Sequence, residues 1–441
     1  MKVKKQINLL FDASILFENA YSNNVSRSGI YWVAYNVLKQ LAKCPFFNIT
    51  ICLTRVSISP KDFKKELKPG HLLMSFPYLP FHYINIQRHI FRENIENYKK
   101  HIKKTKNIFT IVNRFLKIIK NYIKIPYYFF LYNGSLKKLG NIKVFFSPVF
   151  TIPDIIKKIL SIKVFHFLHD CISVLNNVPS QPMDPNHFFK KILIGLNKET
   201  YYFCNSECTK KDFLKIFPDQ LNERNIFVTP ISTSQIFSPK YDKTVLQQVL
   251  LKYGIEQDTK DHYIFSLCNI DPRKNLLFTI NCFLKFIKKH QIDNMYFLLG
   301  GAHFDEYIGQ YKLKFSNLGV SHNIIKHLGY IDDEDVNILY SNSLFFVYLS
   351  QYEGFGMPPM EAMQAGTPVI CSNNSSLPEV VGDAAITITY NDEEACIKAF
   401  EDLYFDENLR NIYIKKGIER AKLFSWEKTV KIMIDKILEI I

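Results

Sequence analysis

The chain has 441 residues, 47% of them apolar and 22% charged, with a formal net charge of +15 at pH 7. That length exceeds what one hydrophobic core usually supports, and the composition excludes a disordered or fibrous chain, so two globular domains are expected. No apolar run approaches the ~18 residues of a membrane span, the first residues do not form a signal peptide, and nine scattered cysteines without paired ligand spacing favour reduced thiols in the cytoplasm.

The charge is unevenly placed. Residues 1–240 hold 36 Lys and Arg against 14 Asp and Glu, and residues 241–441 hold 20 against 27. The basic first half suits an anionic partner, with lipid headgroups, a polyprenyl diphosphate and nucleic acid as candidates on charge alone. No nucleic-acid recognition module is evident, so no nucleic acid partner is expected.

In chain order, Ile7 to Asp12 reads as a first strand. Arg27-Ser28-Gly29-Ile30-Tyr31 then opens an apolar-periodic helix reaching about Leu41. Ser28 can serve as its cap. Asn48 to Thr54 is a second strand candidate. From Phe91 the pattern turns helical and basic: apolar residues between Ile108 and Tyr122 recur at three- and four-residue spacing, while lysines between Lys103 and Lys124 lie largely off that face. Such a helix either lies on an anionic membrane surface or packs on the first domain, and the pattern alone leaves both open. The aromatic tract Pro126 to Tyr132 suits an interfacial anchor.

Lys143 to Ser147 and Lys163 to Leu168 read as strands, and the second ends in His169-Asp170. Ligands of α/β sheets sit at carboxyl edges of this kind, although a lone His is more often structural and an Asp after a strand is often just a cap. No G-x-S-x-G elbow is present to support a Ser-His-Asp hydrolase. Tyr202 to Ser206, a helix from Glu207, and Ile226 to Pro230 close the first domain. The polar, turn-rich stretch from Pro230 to about Lys260 contains the boundary, set after residue 240.

His262 to Leu267 starts the second domain as a strand and leads to Asp271-Pro272-Arg273-Lys274-Asn275. Two cations at a strand-to-helix turn can hold a diphosphate and neutralise it as it leaves. Met295 to Gly301 is a strand ending in glycines. Leu328-Gly329-Tyr330 precedes Asp332-Asp333-Glu334-Asp335, a formal D-x-D that is well explained as acidic residues at a helix N-terminus; no metal is expected. Leu344 to Leu349 is a buried strand followed by Glu353-Gly354-Phe355-Gly356-Met357-Pro358-Pro359-Met360-Glu361. Gly354 and Gly356 allow close backbone approach, the prolines suit a helix start, and Gly366 suits its left-handed end. A phosphate fits that helix N-terminus, and Glu353 and Glu361 can accept hydrogen bonds from sugar hydroxyls. Thr367 to Cys371 is the next strand, and helical patterns run from Asp392 and from Trp426 to Ile441.

The stretch Glu353 to Glu361 resembles the E-x7-E motif of glycosyltransferase family 4, whose members are retaining enzymes of the GT-B fold. Gly366-Thr367-Pro368-Val369-Ile370 and Leu377-Pro378-Glu379-Val380-Val381-Gly382-Asp383 continue that family's pattern. The resemblance implies an α/β chain of two Rossmann-like domains facing each other across a cleft. Residues 1–240 would bind the acceptor and residues 241–441 the nucleotide-sugar, and the last helix can cross back to the first domain. It implies that the loop at Ser28 and Gly29 faces the donor diphosphate, that His169 and Asp170 orient sugar and acceptor, and that Arg273 and Lys274 stabilise the leaving diphosphate. It further places Gly329 and Tyr330 near the donor base, Glu353, Gly354, Phe355 and Gly356 around the sugar and diphosphate, and Glu361 on the ribose. Cys268 and Asn269 depart from the family's glycine and arginine.

His-Asp combined with Asp-Pro-Arg-Lys-Asn is most similar to mannosyltransferase-type members that build bacterial surface polysaccharide. The expected activity is therefore metal-independent, cofactor-free transfer of a hexose, with GDP-mannose as the specific form. The acceptor would be a glycan or a polyprenyl-diphosphate-linked glycan, handled on the cytoplasmic face of the inner membrane. The competing reading is a non-catalytic GT-B subunit that binds a glycan or partner protein.

Overall fold

The computed structural model describes residues 6–21, 29–55, 60–68, 70–79, 139–175, 178, 188–256, 262–269, 271–301 and 324–441. Ser28, the basic 103–124 segment and the aromatic tract 126–132 lie outside these residues. Among the described residues, β1 (Ile7–Asp12), β2 (Phe47–Cys52), β3 (Tyr78–Leu79), β4 (Val144–Ser147), β5 (Lys163–Leu168), β6 (Tyr201–Cys204) and β7 (Ile226–Val228) form one sheet. Its order is β3-β2-β1-β4-β5-β6-β7, and every neighbouring pair is parallel.

The second sheet contains β8 (His262–Leu267), β9 (Met295–Gly300), β10 (Ile325–Gly329), β11 (Phe346–Tyr348), β12 (Val369–Ser372) and β13 (Ile386–Ile388). It runs β10-β9-β8-β11-β12-β13, again wholly parallel. Strands covered on both faces need continuous apolar runs, and Val144–Ser147 and Phe346–Tyr348 are buried along their entire length. Ring contacts tie neighbouring strands and helices together: Phe11 stacks on Phe146 at 5.5 Å, and Tyr340 meets Phe265 and Phe346 edge-on at 5.3 and 5.2 Å.

Strand order reverses once in each sheet, between β1 and β4 and between β8 and β11. A doubly wound sheet opens its ligand crevice at that point, outside the carboxyl ends of the strands. Two such sheets facing each other give the GT-B architecture that the family resemblance implied.

Three local outcomes differ from the sequence reading. The stretch read as a turn-rich linker contains the helix Lys243–Lys252, capped by Asp242 Oδ1, which accepts from the amides of Thr244 at 2.9 Å and Val245 at 3.1 Å. Only Val249 and Leu250 of this helix are buried, so its apolar period is faint. The helical pattern that runs from Asp392 divides at Asp406 into two helices, Glu393–Phe405 and Glu407–Ala421, the second burying only Gly417 and Ala421. Strand β2 stops at Cys52 because Thr54 turns back to the buried Asp12, donating its hydroxyl to Oδ2 at 2.6 Å.

The final helix, Trp426–Ile440, lies against helix Gly29–Leu41 of the first domain. Gln40 Nε2 donates to Glu427 Oε1 at 2.9 Å, and Trp426 Nε1 donates to the Thr233 carbonyl at 3.2 Å. The crossing therefore joins the end of the chain to the first domain.

Candidate active site

A cleft of about 830 Å³ separates the two sheets. Gly29, His169 and Asp170 face it from the first domain. Arg273, Lys274, Tyr330, Glu353, Gly354, Phe355, Gly356 and Glu361 face it from the second. Most of the elements that carry them follow β5, β8 and β11, while Gly29 opens the helix Gly29–Leu41 after β1 and Tyr330 directly follows β10, so their convergence is a consequence of parallel topology.

After β8, Asp271 Oδ1 accepts from the Arg273 amide at 3.0 Å and starts the short turn Pro272–Lys274. Asn275 ends it in the left-handed conformation, with φ 56°. This geometry turns both cations towards β11. Arg273 Nη1 lies 3.0 Å from Glu353 Oε1 and donates to the Tyr352 carbonyl at 2.8 Å. Lys274 Nζ pairs with the same Glu353 oxygen and with the Tyr348 hydroxyl, which also donates to Glu353 Oε1 at 2.9 Å. Burial works against the Glu353 charge, but Lys274 and Arg273 outweigh it and bring its carboxyl down to about 2. Burial likewise opposes the Arg273 charge, and Glu353 reverses the direction and raises it. The cleft thus holds two cations already neutralised in part by their shared Glu353 carboxylate, with Asp271 Oδ2 also standing 3.5 Å from Arg273 Nε.

Gly354 packs directly against the first domain: a Cβ there would lie 2.7 Å from Asp170 Cβ. Gly356 has φ 106° and precedes helix Met357–Gln364, whose N-terminus has no side-chain cap. Pro358 and Pro359 carry no N–H, so the amide donors at this helix start come from Met357 and Met360 and from the glycine turn before them. Glu361 is one turn further on. Tyr340 donates to its Oε2 at 3.2 Å, and burial raises its carboxyl to about 7, with Asp333 adding to the rise.

On the facing wall, His169 Nε2 lies 2.8 Å from the Pro148 carbonyl. A carbonyl only accepts, so Nε2 carries the proton and Nδ1 is the ring's acceptor. Burial lowers the imidazole to about 4, keeping it neutral near pH 7. Asp170 Oδ1 accepts from the Ile172 amide at 3.2 Å, and burial raises its carboxyl.

Two expected residues are not in this group. Ser28 lies outside the described residues, and Gly329 does not line the cleft; it turns β10 outward with φ 68° so that Tyr330 reaches the opening. The sequence reading also passed over Asp333. Of the acidic run at the start of helix Asp333–Asn342, Asp332 and Asp335 pair with Lys252 Nζ at 2.6 Å each, whereas Asp333 lines the cleft beside Glu361. A run of four acids at a helix start gives no signal of which one faces inward.

Residues 252–420 match the family described as "Glycosyl transferases group 1". The chain is 29% identical over 285 residues to the O-antigen chain mannosyltransferase B of Escherichia coli, covering 64% of this chain and 71% of the relative. It is 25% identical over 270 residues to the E. coli serotype-specific mannosyltransferase WbdA, which spans 60% of this chain but only 32% of that longer protein. Among solved structures, Anabaena HepE in complex with UDP aligns over 99% of this chain and 100% of its own with a TM-score of 0.63 at 13% identity. WaaG, described as a glycosyltransferase involved in lipopolysaccharide biosynthesis, aligns over 97% and 99% with a TM-score of 0.58 at 11% identity. At such identities the structural likeness speaks for the fold alone, and that fold is GT-B.

Proposed function

We propose that this chain, whose residues 252–420 form a glycosyl transferases group 1 module on a GT-B framework, is a retaining hexosyltransferase of bacterial surface polysaccharide synthesis. Its donor is a nucleoside-diphosphate sugar, GDP-mannose in the most specific form, and its acceptor is a glycan or lipid-linked glycan. The observation that carries this reading is the Arg273, Lys274 and Glu353 cluster beside the start of helix Met357–Gln364, with Glu361 one turn away, all in one interdomain cleft.

A diphosphate entering the cleft meets Arg273, Lys274 and the amides of the Gly354–Gly356 turn, which stabilise the charge that grows as the anomeric C–O bond breaks. Glu353 accepts from sugar hydroxyls and exchanges part of its hold on the two cations for the diphosphate. Glu361 in its ionised form accepts from ribose hydroxyls. His169 Nδ1 and Asp170 face the sugar from the acceptor side. The new C–O bond forms from the acceptor oxygen on the same face as the leaving group, and the acceptor's proton passes to the departing phosphate oxygen. No protein base is required for that step.

Two observations favour guanine and mannose. Asp333 lies at the Glu361 end of the cleft, and a carboxylate suits the paired N–H donors of guanine better than the single donor of uracil. The relatives matched over more than half of this chain carry mannosyltransferase names. Purified protein incubated with labelled GDP-mannose and a polyprenyl-diphosphate-linked glycan should form a product with the donor's α-configuration, read by NMR. Inverted configuration, or sugar taken only from another nucleotide, would overturn the corresponding part of the reading.

A further inference from the structure

The two domains meet along one edge of the cleft, and the polar contacts there converge on a single helix. Helix Glu207–Ile216 of the first domain begins at the buried Ser206, whose hydroxyl caps it by accepting from the Thr209 amide at 3.0 Å. Ser206 Oγ in turn donates to the Gly354 carbonyl at 2.8 Å, and Thr209 Oγ1 donates to the same carbonyl at 3.1 Å. One turn later, both Asp212 carboxylate oxygens lie 2.8 Å from the Tyr352 hydroxyl. The two leading amides of the helix, Glu207 and Cys208, donate to Glu379 Oε2 and Oε1 at 2.8 and 2.7 Å. Glu379 comes from the second domain, where Arg420 holds its carbonyl at 2.6 Å.

A carboxylate on a helix N-terminus here takes two of the orphan amides and the positive end of the dipole, so this contact is directional as well as strong. Its partners in the second domain are placed with equal economy. Tyr352 and Gly354 flank Glu353 in the chain, and neither Asp212 nor Glu379 lines the cleft. The turn between them is itself tied down: the Glu353 amide donates to Ser375 Oγ at 3.0 Å, and Ser376 Oγ donates to the Glu353 carbonyl at 2.9 Å. Arg273 grips the Tyr352 carbonyl as well as the Glu353 carboxylate. Any shift of helix Glu207–Ile216 against the second domain therefore pulls on both neighbours of Glu353, and through Glu353 on Arg273 and Lys274.

We propose that the first turns of helix Glu207–Ile216 form a latch by which closure of the two domains sets the position of Glu353. Asp212 and Glu379 are its positioning residues and do not touch the substrate. The functional consequence rests on the reading of the cleft as a donor site, whereas the mechanical coupling does not.

The test uses the full chain carrying Glu379→Gln, Glu379→Ala or Tyr352→Phe, the last removing one hydroxyl. Hydrogen exchange is followed by mass spectrometry without ligand, together with donor turnover. Exchange in the peptide spanning residues 352–355 should rise about tenfold in Glu379→Ala, although the Glu379 carboxylate accepts from the Glu207 and Cys208 amides of the other domain and not from that peptide, and less in Glu379→Gln, which keeps one acceptor oxygen. Both sheets should retain wild-type protection, and kcat should fall more than donor KM changes. Unaltered exchange at 352–355 in the folded variants would overturn the latch, as would a uniform rise across both sheets, which marks a general structural role. If the local exchange rises but wild-type protein transfers no sugar, the latch stands and the donor-site reading fails.

Discussion

Gly354→Ala places a single methyl group where the two domains touch. The added Cβ would lie 2.7 Å from Asp170 Cβ and 3.2 Å from both Asp170 Oδ2 and the His169 carbonyl. Carbon atoms in ordinary contact stand roughly 3.5–4.0 Å apart, so about 1 Å must be found. No side-chain rotation supplies it, because one neighbour is a Cβ and another a backbone oxygen, and the Gly354 carbonyl is held by Ser206 and Thr209. The domains must part or the turn must move, at a cost of about 1–3 kcal/mol for overpacking. Displacing His169 and Asp170 by that distance from the donor cations should lower kcat/KM by about 100-fold. Arg273, Lys274 and Glu361 all belong to the second domain, so donor affinity should change far less. Steady-state kinetics beside calorimetric donor binding separates the two. A folded variant with wild-type turnover would refute the argument that this close approach sets the catalytic geometry.

Glu353→Gln should destabilise the ligand-free protein by about 3–5 kcal/mol, since Arg273 and Lys274 lose their shared carboxylate, while nucleoside diphosphate gives a larger thermal shift than in wild type. An equal or smaller shift would mean that those cations do not receive the diphosphate. Glu361 carries a pH signature: its carboxyl, 4.5 in the unfolded chain, stands at about 7 in the fold because of burial. Between those values the folded state holds a proton that the unfolded chain has lost, so this contribution to stability falls as pH rises through the window, while nucleotide-sugar binding, which needs the carboxylate, strengthens. Glu361→Gln should flatten both slopes, and a binding curve that keeps its pH step in the variant would remove Glu361 from the ribose. Turnover should persist in excess EDTA; strict dependence on added divalent metal would contradict the metal-free mechanism.

Sequence pattern made the fold legible because parallel strands buried on both faces must be continuous apolar runs, and Ile7 to Asp12 or His262 to Leu267 can be little else. The site was legible where backbone demands restrict residue type, as at Gly354, Gly356 and the Pro358-Pro359 helix start. Pairing was not. Arg273 and Lys274 read as free cations for a diphosphate, yet in the fold Glu353 binds both, because β8 and β11, about 80 residues apart in the sequence, are sheet neighbours. Asp333 was hidden among three other acids, and helix Lys243–Lys252 by its two buried side chains. Contacts between domains, such as Glu379 with the amides of Glu207 and Cys208, have no local pattern at all.

The most direct test of the central claim is a thermal-shift panel of GDP-, UDP-, ADP- and dTDP-sugars at fixed protein concentration without added metal, run on wild type and on Arg273→Ala. Ligand that binds only the native state stabilises it by about 2.7 kcal/mol at 100 times its dissociation constant. Saturable stabilisation of wild type by GDP-mannose, lost in Arg273→Ala, is the predicted result. Stabilisation by none of the sugars, upheld by calorimetry, would contradict a nucleotide-sugar site in this cleft.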